Sequence, residues 1–314
     1  MVKILSIDGG GIRGIIPAAI IAEIEKQTGK PACKLFDLIV GSSTGGIITA
    51  MLAAPDSQGN PKYSAQQIKS CYIELGKSVF HSSLIRRIFT LNGILNTRYP
   101  AHRLKKHTRD YFGNTRLHSA LTDIVLSAYD TETATPWFFK SRHAAAHRND
   151  IDDPLLAQAV RATSAAPTFF PPVKIGNHSF IDGGIVANNP ALCAYAEARN
   201  LYPHEGEFLI VSLGTGSGLK ILSYKKTRNW GALNWALPML DVLSNSAAGT
   251  VDYQMRSLVG TQRYFRFEFR LDRKSQQMDD SSKENIKRLE AVAQSEIRRN
   301  WGKIMRICEL LNRS

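Results

Sequence analysis

The sequence predicts an α/β fold, with a largely parallel central sheet flanked by helices. Three observations carry this reading. Segments with strand-like alternation interleave with segments of helical periodicity over most of the 314 residues. Two glycine-rich turns, Asp8 to Gly14 and Gly41 to Gly45, each stand between a strand and a helix. The composition, 43% hydrophobic and 21% charged, suits a globular chain that buries a large core. No repeat, low-complexity tract or linker interrupts the pattern, so one domain over residues 1–314 is expected.

Lys3 to Asp8 alternates apolar and polar residues and reads as the first strand. Ile15 to Gln27 reads as a helix, and Pro17, which has no N–H to donate, fits only its first turn. Phe36 to Val40 reads as a second strand and Gly45 to Ala54 as a buried helix stopped by Pro55. Gln66 to Phe80 has helical spacing, and Leu121 to Tyr129 and Pro136 to Lys140 contain strand-like runs. Pro154 to Thr163 predicts a helix that must stop before Pro167.

Phe180 and Ile181 close a short strand, and Pro190 to Asn200 is helical with Asn188 or Asn189 as cap. Phe208 to Leu213 is an apolar strand followed by a glycine turn, Gly214 to Gly218. Tyr264 to Phe269 alternates aromatic and charged residues, as a half-exposed strand does. Lys283 to Leu311 carries an apolar stripe that predicts helix packed on the core, a membrane-surface helix being the alternative.

The net charge is +13 and is unevenly spread. His81 to His118 holds eight Lys and Arg residues (Arg86, Arg87, Arg98, Arg103, Lys105, Lys106, Arg109, Arg116) against one acid, Asp110. Such a face attracts phosphate on nucleic acid or on an anionic lipid surface; a solvated basic surface is the plainer reading. Cys33, Cys71, Cys193 and Cys308 are far apart with no C-x-x-C pair, so no disulfide framework or zinc site is expected, only reduced thiols. Calcium-loop spacing is also absent, and no metal or cofactor is expected. The start, MVKILSID, lacks a signal-peptide h-region, and the longest early apolar run, Ile15 to Ala22, is 8 residues. A membrane-spanning helix needs about 20 apolar residues. The expectation is a cytoplasmic protein; export without a cleaved signal stays open.

Gly9-x-Gly11-x-x-Gly14 fits a dinucleotide fingerprint, because glycines let backbone N–H groups at a helix start approach an anion. That reading wants an acid at the end of the second strand, where Gly41-Ser42-Ser43 stands instead; the nearest acid, Asp37, is at the strand's start. Gly41-Ser42-Ser43-Thr44-Gly45 matches G-x-S-x-G in its strand–turn–helix setting, which lifts the serine above the sheet edge beside a helix N-terminus. A serine nucleophile needs a base. The eight histidines, His204 among them, leave a Ser–Asp–His order open. Asp182, in Phe180-Ile181-Asp182-Gly183-Gly184, is the other candidate, although an isolated D-G-G is ordinarily a plain turn.

Together D-G-G-G-I-R-G, G-S-S-T-G-G and D-G-G, in that order, resemble the patatin-like phospholipase family. Ala162 to Pro167 with Phe170-Pro171-Pro172, Ala187 to Pro190, and Val211 to Gly216 look like further blocks of it, so the resemblance covers roughly residues 3–217. It implies a patatin-like three-layer architecture and a lipid acyl hydrolase. It also implies a Ser–Asp dyad, with Ser43 as nucleophile and Asp182 as general base, and oxyanion-hole N–H groups from Gly9, Gly10 and Gly11. Arg13 would hold that loop or favour an anionic substrate, with Gly41, Gly45, Gly183 and Gly184 shaping the turns. The implied partner is a phospholipid or other acyl lipid, without nucleic acid, and the stretch Arg86 to Arg116 would seat the enzyme on a membrane surface. An activator of unknown kind is also open for this family. Pocket walls are expected from Leu84 to Leu95 and Trp230 to Leu243.

Overall fold

The computed structural model describes residues 1–80, 96–218 and 221–313. Strand β1 (Val2–Ile7) enters the Gly11–Gly14 turn and then α1 (Ile15–Thr28), which Gly29 ends in the left-handed conformation at φ 71°. Strand β2 (Leu38–Gly41) leads into α2 (Thr44–Ala53). Next comes α3 (Ala65–Val79), opened by a reciprocal cap between Ser64 and Gln67. Helix α4 (Ala101–Phe112) lies within the basic stretch. Strands β3 (Asp123–Asp130) and β4 (Thr135–Lys140) precede α5 (Leu156–Thr163). Strands β5 (Val173–Ile175) and β6 (His178–Asp182) follow, then α6 (Ala191–Leu201) and β7 (Phe208–Leu213). The chain closes with α7 (Ala232–Val259), β8 (Tyr264–Phe267), α8 (Lys283–Arg299) and α9 (Trp301–Asn312).

The sheet runs β5-β6-β3-β2-β1-β7-β8, with β4 on the other edge of β3. From β3 to β8 every pair along this order is parallel, whereas β4, β5 and β6 pair antiparallel. Alternate residues of β1 serve two cores. Leu5 and Ile7 join the larger one, with side chains of α1, α2, α3, α8 and α9. Val2 and Ile4 join the smaller one, closed by Ala191, Ala194 and Ala198 of α6 and Met255 of α7. Helices on both faces of the sheet make the three layers.

Three details differ from the sequence expectations. The terminal stripe is two helices that meet at Asn300, whose side-chain amide also donates to the Glu296 carbonyl at 2.9 Å. The strand at Tyr264 is not half-exposed: Arg266 is buried and bound to Asp8, which follows β1 in the same sheet. Pro190, not an asparagine, is the residue before α6, although Asn189 Oδ1 still accepts the Ala191 N–H at 3.1 Å.

Candidate active site

Two short strands meet end to end on one edge of β3. Strand β2 pairs with Asp123 to Leu126 and β6 with Ala128 to Asp130, while β4 holds the opposite edge. Strand β2 runs parallel to β3 and β6 runs against it, so their C-terminal ends converge: Gly41 lies opposite Leu126 and Asp182 opposite Ala128. This convergence brings together two side chains that are 139 positions apart, and Ser43 Oγ donates a hydrogen bond to Asp182 Oδ2 at 2.7 Å.

Ser43 has φ 53° and ψ −120°, a backbone conformation that costs a non-glycine residue on the order of 1–3 kcal/mol. The turn needs its glycines. A Cβ on Gly45 would strike the Ile7 carbonyl, and one on Gly41 would strike the Gly45 carbonyl. Thr163, the last residue of α5, ties both partners: its Oγ1 accepts the Ser43 N–H at 3.0 Å, and its carbonyl accepts the Gly183 N–H at 3.0 Å. Gly183 has no room for a side chain, since a Cβ there would meet the Ser127 carbonyl. The Gly184 N–H donates to Asp182 Oδ1 at 2.7 Å and fixes the carboxylate's orientation. Burial pushes the Asp182 carboxyl up to about 6, against the hydrogen bonds from Ser43 and Gly184, which favour the ionised form.

The glycine loop lies beside this pair and is held from all sides. Thr44 Oγ1 donates to the Gly11 carbonyl at 2.7 Å, and the buried Tyr72 hydroxyl donates to Thr44 Oγ1 at 2.8 Å. Arg13 is buried and donates from Nε to the Gly10 carbonyl at 3.1 Å and from Nη1 to the Gly216 carbonyl at 2.9 Å. These two bonds tie Arg13 to the glycine loop and to the turn after β7. Gly9 departs from expectation: its N–H donates to the Asn188 carbonyl at 3.1 Å and is already spent. Gly10 and Gly11, unlike Gly9, line the cavity that Ser43 and Asp182 also line.

That cavity has a volume of about 210 Å³. Its wall away from the dyad is mostly apolar, with Ile47 of α2, Leu75 and Val79 of α3, Leu104 of α4 and Phe170. Tyr99 packs behind Phe80 and Phe170 at ring-centroid distances of 5.4 and 5.8 Å. The basic stretch therefore has two faces: Lys105, Lys106 and Arg109 of α4 are exposed, while Leu104 reaches the cavity. Arg86, Arg87 and the expected wall Leu84 to Leu95 lie outside the described residues. None of the described residues of the other expected wall, Trp230 to Leu243, lines the cavity; Ser244, one position beyond it, does. None of the described histidines lines it, and His204 is exposed. Among the described residues no cluster of His, Cys, Asp and Glu is placed to hold a metal ion, and no helix is long and apolar enough to cross a membrane. The four cysteines are unpaired.

Sequence reasoning missed Thr163, Tyr72 and Asn188. Thr163 and Asn188 sit inside the quoted blocks, but contact with Ser43 or Gly9 is a tertiary fact that their spacing does not carry.

Comparison with known proteins bears on the whole chain. A family model described as patatin-like phospholipase matches residues 5–195. Patatin-like protein 2 of Arabidopsis thaliana is 35% identical over 82% of this chain and 72% of its own length. Patatin-like protein 2 of Oryza sativa subsp. indica is 32% identical over 97% of this chain and 85% of its own. Patatin-T5 of Solanum tuberosum is 30% identical over 96% and 85%. Among solved structures, VipD from Legionella pneumophila aligns at 12% identity with a TM-score of 0.39, over 94% of this chain and 67% of that one.

Proposed function

The chain belongs to the patatin-like phospholipase family, and on that premise we propose that it is a lipid acyl hydrolase working through a Ser43–Asp182 dyad. The observation that carries the proposal is the 2.7 Å hydrogen bond from Ser43 Oγ to a buried carboxylate, beside an apolar cavity. Asp182 takes the hydroxyl proton as Ser43 Oγ attacks the ester carbonyl. The tetrahedral oxyanion rests on N–H groups of Gly10 and Gly11, each such donor contributing on the order of 3 kcal/mol. Collapse expels the alcohol or lysolipid, which takes the proton from Asp182, and leaves an acyl-Ser43 ester. Asp182 then draws a proton from water as the water oxygen attacks the acyl carbonyl, and collapse of this second tetrahedral species releases the fatty acid while Asp182 returns the proton to Ser43 Oγ.

A carboxylate of ordinary acidity is a weak base for a serine hydroxyl. Burial of Asp182, with its pKa raised to about 6, makes it a stronger one. The apolar wall suits a fatty acyl chain, and the exposed cations of α4 supply one attraction toward anionic lipid.

The test is hydrolysis of p-nitrophenyl esters and of phospholipid vesicles by the purified protein, with fluorophosphonate labelling read at Ser43. Ser43→Ala and Asp182→Asn are each expected to lower the rate by about a thousandfold or more, as loss of a triad member does. Unchanged turnover in either variant would overturn the dyad. Lipid profiling of the products identifies the head group and position cleaved.

A further inference from the structure

The cavity opens on a rim of exposed apolar side chains supplied by three separate segments. Ile185, 55% exposed, stands on the short helix Gly184–Ala187 directly after Asp182 and lines the cavity. Met278, also exposed, lines it from the loop that precedes α8, where its carbonyl accepts the Ile12 N–H at 2.8 Å. Helix α7 contributes Ser244 to the lining, and its neighbours Leu243, 57% exposed, Val242 and Met239 are exposed too. Asn189 Nδ2 to the Ala248 carbonyl, at 3.4 Å, joins this helix to the segment that follows Asp182.

The residues leading into α7 have interfacial chemistry. Tyr224 and Ile221 are 80% and 79% exposed. Trp230 and Trp235 stack edge to face at 5.2 Å, and Lys226 Nζ lies 5.8 Å from the Trp230 ring. From Ile221 to Leu243 the sequence holds three cations, Lys225, Lys226 and Arg228, against one acid, Asp241. Trp, Tyr and Lys beside exposed aliphatic side chains are the composition found where protein meets lipid head groups.

We propose that this rim, the exposed side chains of Ile221, Tyr224, Val242 and Leu243 with Ile185 and Met278, is the face that docks on an anionic lipid bilayer. The inference rests on the lipid-hydrolase reading above and adds to it the route by which substrate arrives. An acyl chain leaving a bilayer for the cavity crosses water unless the cavity mouth abuts the membrane, and each methylene left in water opposes the transfer. Apolar residues around the mouth remove that gap, and the cations beside them match an anionic head-group layer. A protein seated on the same face would close the entrance to Ser43. Exposed aliphatic residues gathered in such a patch call for a partner of this kind.

The experiment is co-sedimentation with vesicles of phosphatidylcholine alone and of an equimolar phosphatidylcholine and phosphatidylglycerol mixture, alongside turnover of soluble p-nitrophenyl butyrate. Val242→Ser with Leu243→Ser is expected to weaken binding to both vesicles by about tenfold or more, with butyrate turnover unchanged. Lys225→Gln with Lys226→Gln is expected to weaken binding to the anionic vesicles alone, and added salt to reproduce that loss. Vesicle binding unchanged in the serine variant overturns the proposal. So does a wild-type dimer, seen by size exclusion, that the serine variant abolishes, because the face then covers a second copy. Equal loss of butyrate turnover and vesicle binding also overturns it, as the residues would then shape the cavity. Failure of the wild type to hydrolyse any ester, with vesicle binding intact, sinks the hydrolase reading and leaves the docking face standing.

Discussion

A serine at φ 53° and a carboxyl that burial pushes up to about 6 are both held away from their preferred states. Thr163 is the residue that holds them, with its hydroxyl on Ser43 and its carbonyl on Gly183. Thr163→Val keeps the shape and removes the acceptor, so kcat is expected to fall by roughly ten- to a hundredfold with KM little changed, and Thr163→Ser to restore most of it. Titration of Asp182 gives a second prediction, read in kcat/KM. Asp182 accepts a proton only when ionised, so kcat/KM should rise with pH through about 6 and level off above it. Stability runs the other way. The fold raises this pKa from 3.8 to about 6, so the native state holds the proton more tightly than the unfolded chain. Stability attributable to this group therefore falls as pH rises between those values, and stays low above them. Asp182→Asn, expected to be inactive, should be more stable than the wild type above pH 6 by on the order of 3 kcal/mol, and the gap should vanish below pH 4, measured by thermal melts.

The elbow and the glycine loop were legible at the level of elements because glycine punctuation survives in any context: strand, tight turn and helix follow from it directly. Gly45→Ala places a methyl on the Ile7 carbonyl and should cost about 1–3 kcal/mol in urea unfolding, besides misaiming Ser43. Other elements were illegible for physical reasons. Helix α4 has Leu104, Thr108 and Phe112 buried at every fourth residue, but with cations on its other positions the segment read only as charge. Helix α7 carries Pro238 in its second turn, where a proline signals an ending; the helix runs on to Val259 regardless. Gly9 looked equivalent to Gly10 and Gly11 because sequence spacing does not show which N–H another carbonyl has already taken.

At the scale of the molecule, the segment beyond the recognisable motifs closes the site from behind. Ser6, Ser212 and Arg266 lie side by side across β1, β7 and β8. Arg266 reaches from there to both Asp8 oxygens, at 2.8 and 2.6 Å, under the glycine loop. Both partners are buried, so removing Arg266 takes from Asp8 the cation that it binds, whereas Arg266 also pairs with the half-exposed Glu268. Arg266→Met is expected to lower unfolding free energy by about 3–5 kcal/mol, and adding Asp8→Asn to recover part of it, by denaturant titration. No reading of Tyr264 to Phe269 alone could find this pair, because alternation fixes which residues share a face and not whether that face is wet. The parallel sheet, by contrast, was readable from the rhythm of strand and helix, and only the antiparallel edge of β4, β5 and β6 was not.

The end-to-end meeting of β2 and β6 has a consequence for the life of the chain before it is finished. Ser43 is synthesised 139 residues ahead of Asp182, its proposed base. A nascent chain that has released Ser43 but not Asp182 lacks the hydrogen bond between them, and one that has released both still lacks Arg266 to hold Asp8 beneath the glycine loop. On the proposed mechanism, any chain that stops short of Arg266 is therefore expected to lack ester hydrolysis, which a p-nitrophenyl butyrate assay of such a product would check.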